Sequence, residues 1–224
     1  LRSPQKKLVH TFDTCYAHLQ ACKKILKDKQ DVAVCDCDLL FKKDITDLWK
    51  QDFDIAITVR KIIPYNTGIW WYRHNSRSER FIKEWVKNTL YIRGRVINDD
   101  IPAKRFVAHH GGIDQASLAI TIEKNNYAKV LKLDSVIWNA CQHEWEFITK
   151  DTRVIHIKSK LRKYCFGQLS EPPEYLIPII KIWREYYDRA RKLYGLDRKT
   201  KNKKSELRRR NKKRLRVYKK LSAL

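Results

Sequence analysis

Two rhythms of apolar spacing run along this chain. Cys15, Leu19, Cys22 and Ile25 with Leu26 recur three to four residues apart, which predicts a helix with Thr11 or Asp13 as its cap. A polar, basic lead-in over residues 1–10, carrying Pro4, comes before it. Val32 to Val34 is short and wholly apolar and predicts a buried strand. Residues 44–49 predict a short helix that packs Ile45, Leu48 and Trp49 inward. Phe53–Val59 and Thr67–Tyr72 predict two more strands, broken apart by Pro64. Ser76 to Glu79 has the S-x-x-E form of a capping box and opens a helix striped by Phe81, Ile82, Trp85, Val86 and Thr89. Residues 93–110 carry Gly94, Pro102 and the adjacent acids Asp99 and Asp100, and predict a long loop. Gly111-Gly112 then precede a helix over Ile113–Glu123. Val130–Leu133, Val136–Trp138 and Val154–Ile157 predict short strands, and Pro172-Pro173 ends that region. Leu176, Ile179, Ile180, Trp183, Tyr187, Ala190 and Tyr194 predict a long amphipathic helix closed by Gly195. Strands alternating with helices argue for an α/β fold with a mainly parallel sheet.

The 224 residues suffice for one good-sized domain and an appendage, and 7 Trp, 11 Tyr and 7 Phe supply a core. No apolar run approaches the length of a membrane-spanning helix, and no signal-peptide pattern opens the chain. The sequence starts at Leu1 and has no Met, so it reads as a fragment or a processed piece. Of the six cysteines, Cys35 and Cys37 lack zinc-knuckle spacing, and Cys15 and Cys22 fall on a helix's apolar face. Reduced, buried thiols and a cytoplasmic location are expected. The net charge of +24 is uneven: residues 198–224 hold 14 Lys and Arg against the single acid Glu206. The expected organisation is a catalytic domain over 1–170, an amphipathic helical extension over 171–197, and a polybasic tail over 198–224, helical or disordered.

Chemistry concentrates at four stations. Asp36 and Asp38 end the first strand, and on an extended chain alternate residues share a face. Two like charges so close call for a cation between them, and oxygen ligands suit Mg²⁺ or Mn²⁺. Tyr65-Asn66-Thr67-Gly68 precedes a strand; Gly68 permits close approach and Asn66 offers a donor and an acceptor. Gly112-Ile113-Asp114-Gln115 opens a helix, where Asp114 serves as a cap or faces a polar substrate at the helix's positive end. His156, in VIHIKSKLRK, is a strand-end imidazole suited to joining two carboxylates on a metal, or a structural His. Lys158, Lys160, Arg162 and Lys163 could neutralise a diphosphate.

The order of these stations, a DxD strand, NTG, GG-x-DQ-x-S-L and VIHIK, resembles the GT-A nucleotide-sugar glycosyltransferases, nearest to the glycogenin/galactosyltransferase-like group called family eight. The likeness spans Asp31 to about Lys163. It implies a GT-A-type, mainly parallel twisted sheet flanked by helices, an Mn²⁺ or Mg²⁺ cofactor, a nucleotide-diphosphate sugar donor, a glycan or lipid-linked acceptor, and retention of configuration. Carried over by position, Asp36, Asp38 and His156 would hold the metal. Asp36, Cys37, Asp38, Arg60, Asn66, Gly68, Lys158 and Lys163 would line the donor, and Asp114 and Gln115 would sit at the reacting face. Two departures stand out. After His156 the chain has Lys158-Ser159-Lys160-Leu161-Arg162-Lys163 where the family has Gly and Lys-Pro-Trp, and the family's first strand–helix–strand unit is missing from the short stretch before Asp36.

Two rivals remain at this point. A haloacid-dehalogenase-type phosphatase would use Asp36, Asp38, Thr58 and the Asp99-Asp100 pair, but Leu39-Leu40 replace the small turn that chemistry prefers. A nucleic-acid-binding protein would fit the basic charge and interleaved Tyr and Trp. The tail reads as an anchor on an anionic membrane surface, placing the protein peripherally on the inner face, or as a nucleic-acid arm or a solvated arm.

Overall fold

Helix α1, Pro4–Asp28, begins inside the predicted lead-in, because proline at a helix start lacks only an N–H that would have no partner there. The computed structural model describes residues 4–194, with side chains described from Cys15 onward. The chain divides into two compact units, Leu1–Leu176 and Ile177–Leu224. The polybasic tail lies outside the described residues. The second unit is described as helix α7, Ile177–Leu193, over most of the predicted amphipathic stretch.

In the first unit, β1 (Val32–Cys35), β3 (Ile55–Val59), β4 (Tyr65–Tyr72) and β5 (Val130–Asp134) form one sheet in the order β1-β4-β3-β5. The expected parallel sheet is found to be mixed: β4 runs antiparallel to both β1 and β3, and only β3 and β5 are parallel. The connection between β3 and β4 is too short for a crossover and admits only an antiparallel return. Strand β1 lies at the sheet's edge with Ala33 and Cys35 exposed, so the fully buried strand predicted there is not found. A second ribbon pairs β2 (Leu39–Phe41) antiparallel with β6 (Val154–His156).

Both faces of the central sheet are covered, which explains why β3 and β4 read as continuous apolar runs. Trp70, Tyr72, Ile55 and Ile57 meet Cys22 and Ile25 of α1, Phe81, Ile82 and Trp85 of α2 (Ser76–Ile97), and Leu118 of α4 (Ile113–Glu123). On the opposite face Ala56, Ile69 and Trp71 pack with Leu48, Leu133, Trp138 and Val154. The predicted stripe on α2 is buried apart from the half-buried Val86, and Ile92 and Val96 extend it. Its cap is set one residue earlier than expected: Asn75 accepts from the Arg77 and Ser78 amides, and Ser78 completes the box in place of Glu79.

The predicted loop over 93–110 is mostly helix. Helix α2 runs through Gly94 to Ile97, and α3 spans Ile101–His110 with Asp100 as its cap and Pro102 in its first turn. Gly111, at φ 81°, ends α3 in the left-handed conformation and turns the chain into α4. Residues 44–49 give a 3-10 turn, Thr46–Lys50, and the predicted strand at Val136–Trp138 is a short helix, α5 (Ser135–Trp138), capped by Asp134.

Asp54 fastens three elements together. Only 2% exposed, it accepts from Asn75 Nδ2 at 2.7 Å, Arg77 Nε and Nη2 at 2.8 Å each, and the Lys129 amide at 2.7 Å. Burial alone would raise its carboxyl, but the bonds from Arg77, Lys129 and Asn75 hold it below the usual range. A depressed carboxyl stabilises the fold above its unfolded value and loses that effect as pH falls through the folded one. Asp54→Ala should therefore cost about 2–4 kcal/mol at neutral pH. In urea unfolding, the gap between variant and parent should close as the pH drops below about 4.

Candidate functional site

The C-terminal ends of β1 and β3 lie at the same edge of the sheet as the start of β4. There the Asp36 amide donates to the Gly68 carbonyl at 2.8 Å. The chain turns at Cys37 and Asp38 before entering β2, so the two carboxylates converge across a turn and do not share one strand face as alternation predicted. Strand β2 places Leu39 opposite His156, and the Ile157 amide donates to the Asp38 carbonyl at 2.8 Å. His156 Nε2 consequently lies 3.0 Å from Asp38 Oδ1 and 3.5 Å from Asp36 Oδ2. One ligand atom from each of the three residues falls within 4.8 Å of the others. The imidazole packs against Gly68, where a Cβ would come within 2.7 Å of both Cε1 and Nδ1.

Charge at this cluster is unbalanced. Burial pushes the Asp36 carboxyl up to about 6, with the charges of Asp38 and Asp114 adding to the effect, while 56% of its side chain stays open to solvent. Burial would also raise Asp38, but the hydrogen bond from His156 and the charge of Arg162 hold it below its ordinary value. Burial lowers His156, and Lys158 and Arg60 push the same way against Asp38. The imidazole is therefore neutral at neutral pH, and its contact with Asp38 is a hydrogen bond, not an ion pair.

The remaining predicted residues divide into those that face the cluster and those used internally. Lys158 lies near enough for its charge to act on Asp36 and His156. Lys163 has no described contact with the acidic pair; Arg162 ion-pairs with Asp38 in its place. Lys158 is the N-cap residue of helix α6, Ser159–Cys165, and the Arg162 amide donates to the Lys158 carbonyl at 3.3 Å. Cys37 is exposed at the turn with a free thiol. Arg60 makes no bond to Asp36. Its Nη2 donates to Gln115 Oε1 at 2.9 Å and to the Tyr65 carbonyl at 3.1 Å, and its Nη1 donates to Cys141 Sγ at 3.0 Å.

Asn66 is buried and its amide is occupied within the fold: Oδ1 accepts from the Gly68 amide at 3.1 Å, and Nδ2 points to Cys141 Sγ. Thr67, which the sequence reading passed over, is the member of that turn that bonds Asp114, donating from Oγ1 to Oδ2. Asn66 and Gly68 share one face of the strand and Thr67 takes the other, on which Asp114 lies. Asp114 sits in the first turn of α4, whose cap is Gly112, and Trp85 Nε1 and Ser117 Oγ hold its carbonyl at 3.1 and 2.9 Å. The charge of Asp114 lies near enough to act on Asp36.

The further residues a phosphatase would need beyond Asp36 and Asp38 are engaged elsewhere. Thr58 is buried and donates to the Asn66 carbonyl at 2.9 Å; Asp99 pairs with Lys104, and Asp100 caps α3 and pairs with Arg95. His110 bonds the Phe106 carbonyl. Cys15, Cys22, Cys35, Cys37 and Cys141 are free thiols, Cys35 and Cys37 exposed and the other three buried; Cys165 is buried. No helix among the described residues is long and apolar enough to cross a membrane.

Residues 6–161 match the family described as nucleotide-diphospho-sugar transferase. No curated protein and no solved structure matches the chain.

Packing of His156 on Gly68 gives a contrast between two glycines. Gly68→Ala should drive the buried imidazole off the acidic pair and cost about 1–3 kcal/mol in chemical denaturation. Gly94→Ala, inside α2 with nothing within 4 Å of the added carbon, should instead stabilise the fold; the gain expected is about 0.5–1 kcal/mol. NMR of the imidazole nitrogens should report a changed His156 environment in the first variant and none in the second.

Proposed function

The chain belongs to the nucleotide-diphospho-sugar transferase family, and we propose that it carries a sugar from a nucleotide-diphosphate donor to a hydroxyl acceptor at the sheet edge formed by Asp36, Asp38 and His156. The observation that carries this reading is the convergence of those three side chains from positions far apart in sequence. Their chemistry fits a divalent cation. Two carboxylates and a neutral imidazole stand close together, one carboxyl is raised by burial and by the negative charges beside it, and His156 Nδ1 is buried without a partner while Nε2 faces the acids. A nitrogen among oxygen donors favours Mn²⁺ over Mg²⁺.

Asp36, Asp38 and His156 would hold the ion, which supplies positive charge against the departing diphosphate. Lys158 adds a second positive charge on the same side. Asp114, fixed by Thr67 and by the bonds to its carbonyl, presents a carboxylate to the sugar or to the attacking hydroxyl at the positive end of α4. Gln115 is oriented by Arg60, which makes Arg60 a positioning residue and not a donor ligand. Retention of configuration, the nearer likeness to the glycogenin group, a glycan or lipid-linked acceptor and a peripheral cytoplasmic location belong to the same reading. The described residues do not include the tail on which membrane attachment would depend.

Incubated with Mn²⁺ and a panel of nucleotide sugars, the protein should transfer or slowly hydrolyse at least one of them, and a chelator should stop the reaction reversibly. Asp38→Ala should lower turnover by roughly a hundredfold or more, because a lost metal ligand removes several kcal/mol of charge stabilisation. Its circular dichroism should stay like that of the parent. A folded Asp38→Ala protein with near-normal, metal-dependent turnover would refute the assignment.

A further inference from the structure

Both oxygens of Asp38 are engaged. Oδ1 faces His156 Nε2 at 3.0 Å, and Oδ2 accepts from Arg162 Nη2. The same guanidinium donates from Nε to the Ile157 carbonyl at 3.1 Å, which docks it on the backbone just beyond the strand carrying His156. The other two partners differ in character. His156 is 5% exposed and locked against Gly68, whereas the Arg162 side chain is 51% exposed. Asp36 has no cation bonded to it among the described residues.

We propose that Arg162 is an exchangeable binding residue of this site: with no ion bound it serves as the counter-charge of Asp38, and on loading it yields Asp38 Oδ2 and takes hold of the donor's diphosphate. The inference rests on the nucleotide-sugar reading and adds to it a residue just outside the family match, which ends at Leu161. Three physical points support it. A guanidinium at hydrogen-bond distance from Oδ2 repels a divalent cation arriving at the same carboxylate. A half-exposed ion pair adds little net stability, so releasing it is easy. The planar fork of N–H groups that now spans Asp38 and the Ile157 carbonyl also matches a phosphate's oxygens. Lys158, the N-cap residue of α6, also acts on Asp36 by its charge as Arg162 does, so a diphosphate there would meet two cations.

An exchangeable arginine has a signature that a structural one lacks: its removal acts on metal and diphosphate with opposite signs. The test is calorimetric titration of the full chain with MnCl₂ alone, then with inorganic pyrophosphate in saturating Mn²⁺. Arg162→Gln should bind Mn²⁺ about threefold to tenfold more tightly, the range expected when one half-screened like charge is removed. The same variant should bind pyrophosphate about tenfold more weakly, for the loss of a charge-assisted bond. Arg162→Lys, which keeps the charge but loses the Nε anchor, should keep most of the pyrophosphate affinity. Thermal unfolding of each variant establishes that it is folded. If the parent binds Mn²⁺ and Arg162→Gln binds it no more tightly, the exchange is overturned while the metal reading stands. Tighter Mn²⁺ with unchanged pyrophosphate overturns it as well. If neither protein binds Mn²⁺, the metal reading fails and the inference with it. Binding by the variant alone supports the exchange.

Discussion

A single backbone hydrogen bond, from the Ile157 amide to the Asp38 carbonyl, holds the turn carrying the acids against the strand that carries His156. It continues the β2–β6 pairing by which Leu39 meets His156. Strand register permits no partial error, since a slip of one residue sends every side chain to the other face. A second backbone bond, from the Asp36 amide to the Gly68 carbonyl, ties the other acid to β4. A third, from the His156 amide to the Ala140 carbonyl, fixes the imidazole's strand from its far side. The three clustered side chains are thus located by main-chain pairing.

Around that frame, charge is sorted by depth. The carboxylates of Asp36 and Asp38 face the open side, while Arg60 lies half-buried behind them, with Nη1 on Cys141, Nη2 on Gln115, and a buried Nε that has no partner. Its positive charge, with that of Lys158, opposes protonation of His156 and so keeps Nε2 a neutral donor atom. Cys141 is the soft acceptor in this arrangement. Burial raises its thiol, so it takes the guanidinium N–H without adding a charge of its own.

Much of this was legible in the sequence because the chemistry sits where periodicity is strongest. The apolar run ending in Asp36, the helix opening at Ile113 and the strand ending in His156 are each bounded by residues whose spacing leaves little choice. Residues that can either break or begin a helix were misread. Gly94 lies inside α2 and Pro102 in the first turn of α3, where proline costs nothing, so 93–110 read as a loop. Arg162 was hidden among three basic neighbours, Lys158, Lys160 and Lys163. Choosing it over Lys163 requires knowing that a helix starts at Ser159, and no apolar stripe announces one so short. Strand alternation separates Thr67 from Asn66, but only the fold shows that Thr67 is the one that meets Asp114.

The direction of β4 was the largest departure from expectation, and it is the departure that makes the site. In an all-parallel sheet, the edge that holds Asp36 would receive only the C-terminal ends of strands, each followed by a loop leading away. Because β4 runs antiparallel, its first residues arrive at that edge: Gly68 touches the Asp36 backbone and the His156 ring, and Thr67 reaches Asp114. The turn joining β3 to β4 then sets Arg60 against Gln115. Strand sequences do not encode direction, since alternation reads the same either way, but connection length does. The few residues between Val59 and Tyr65 cannot cross over the sheet, and that shortness brings Thr67 and Gly68 to the edge where the three potential ligands meet.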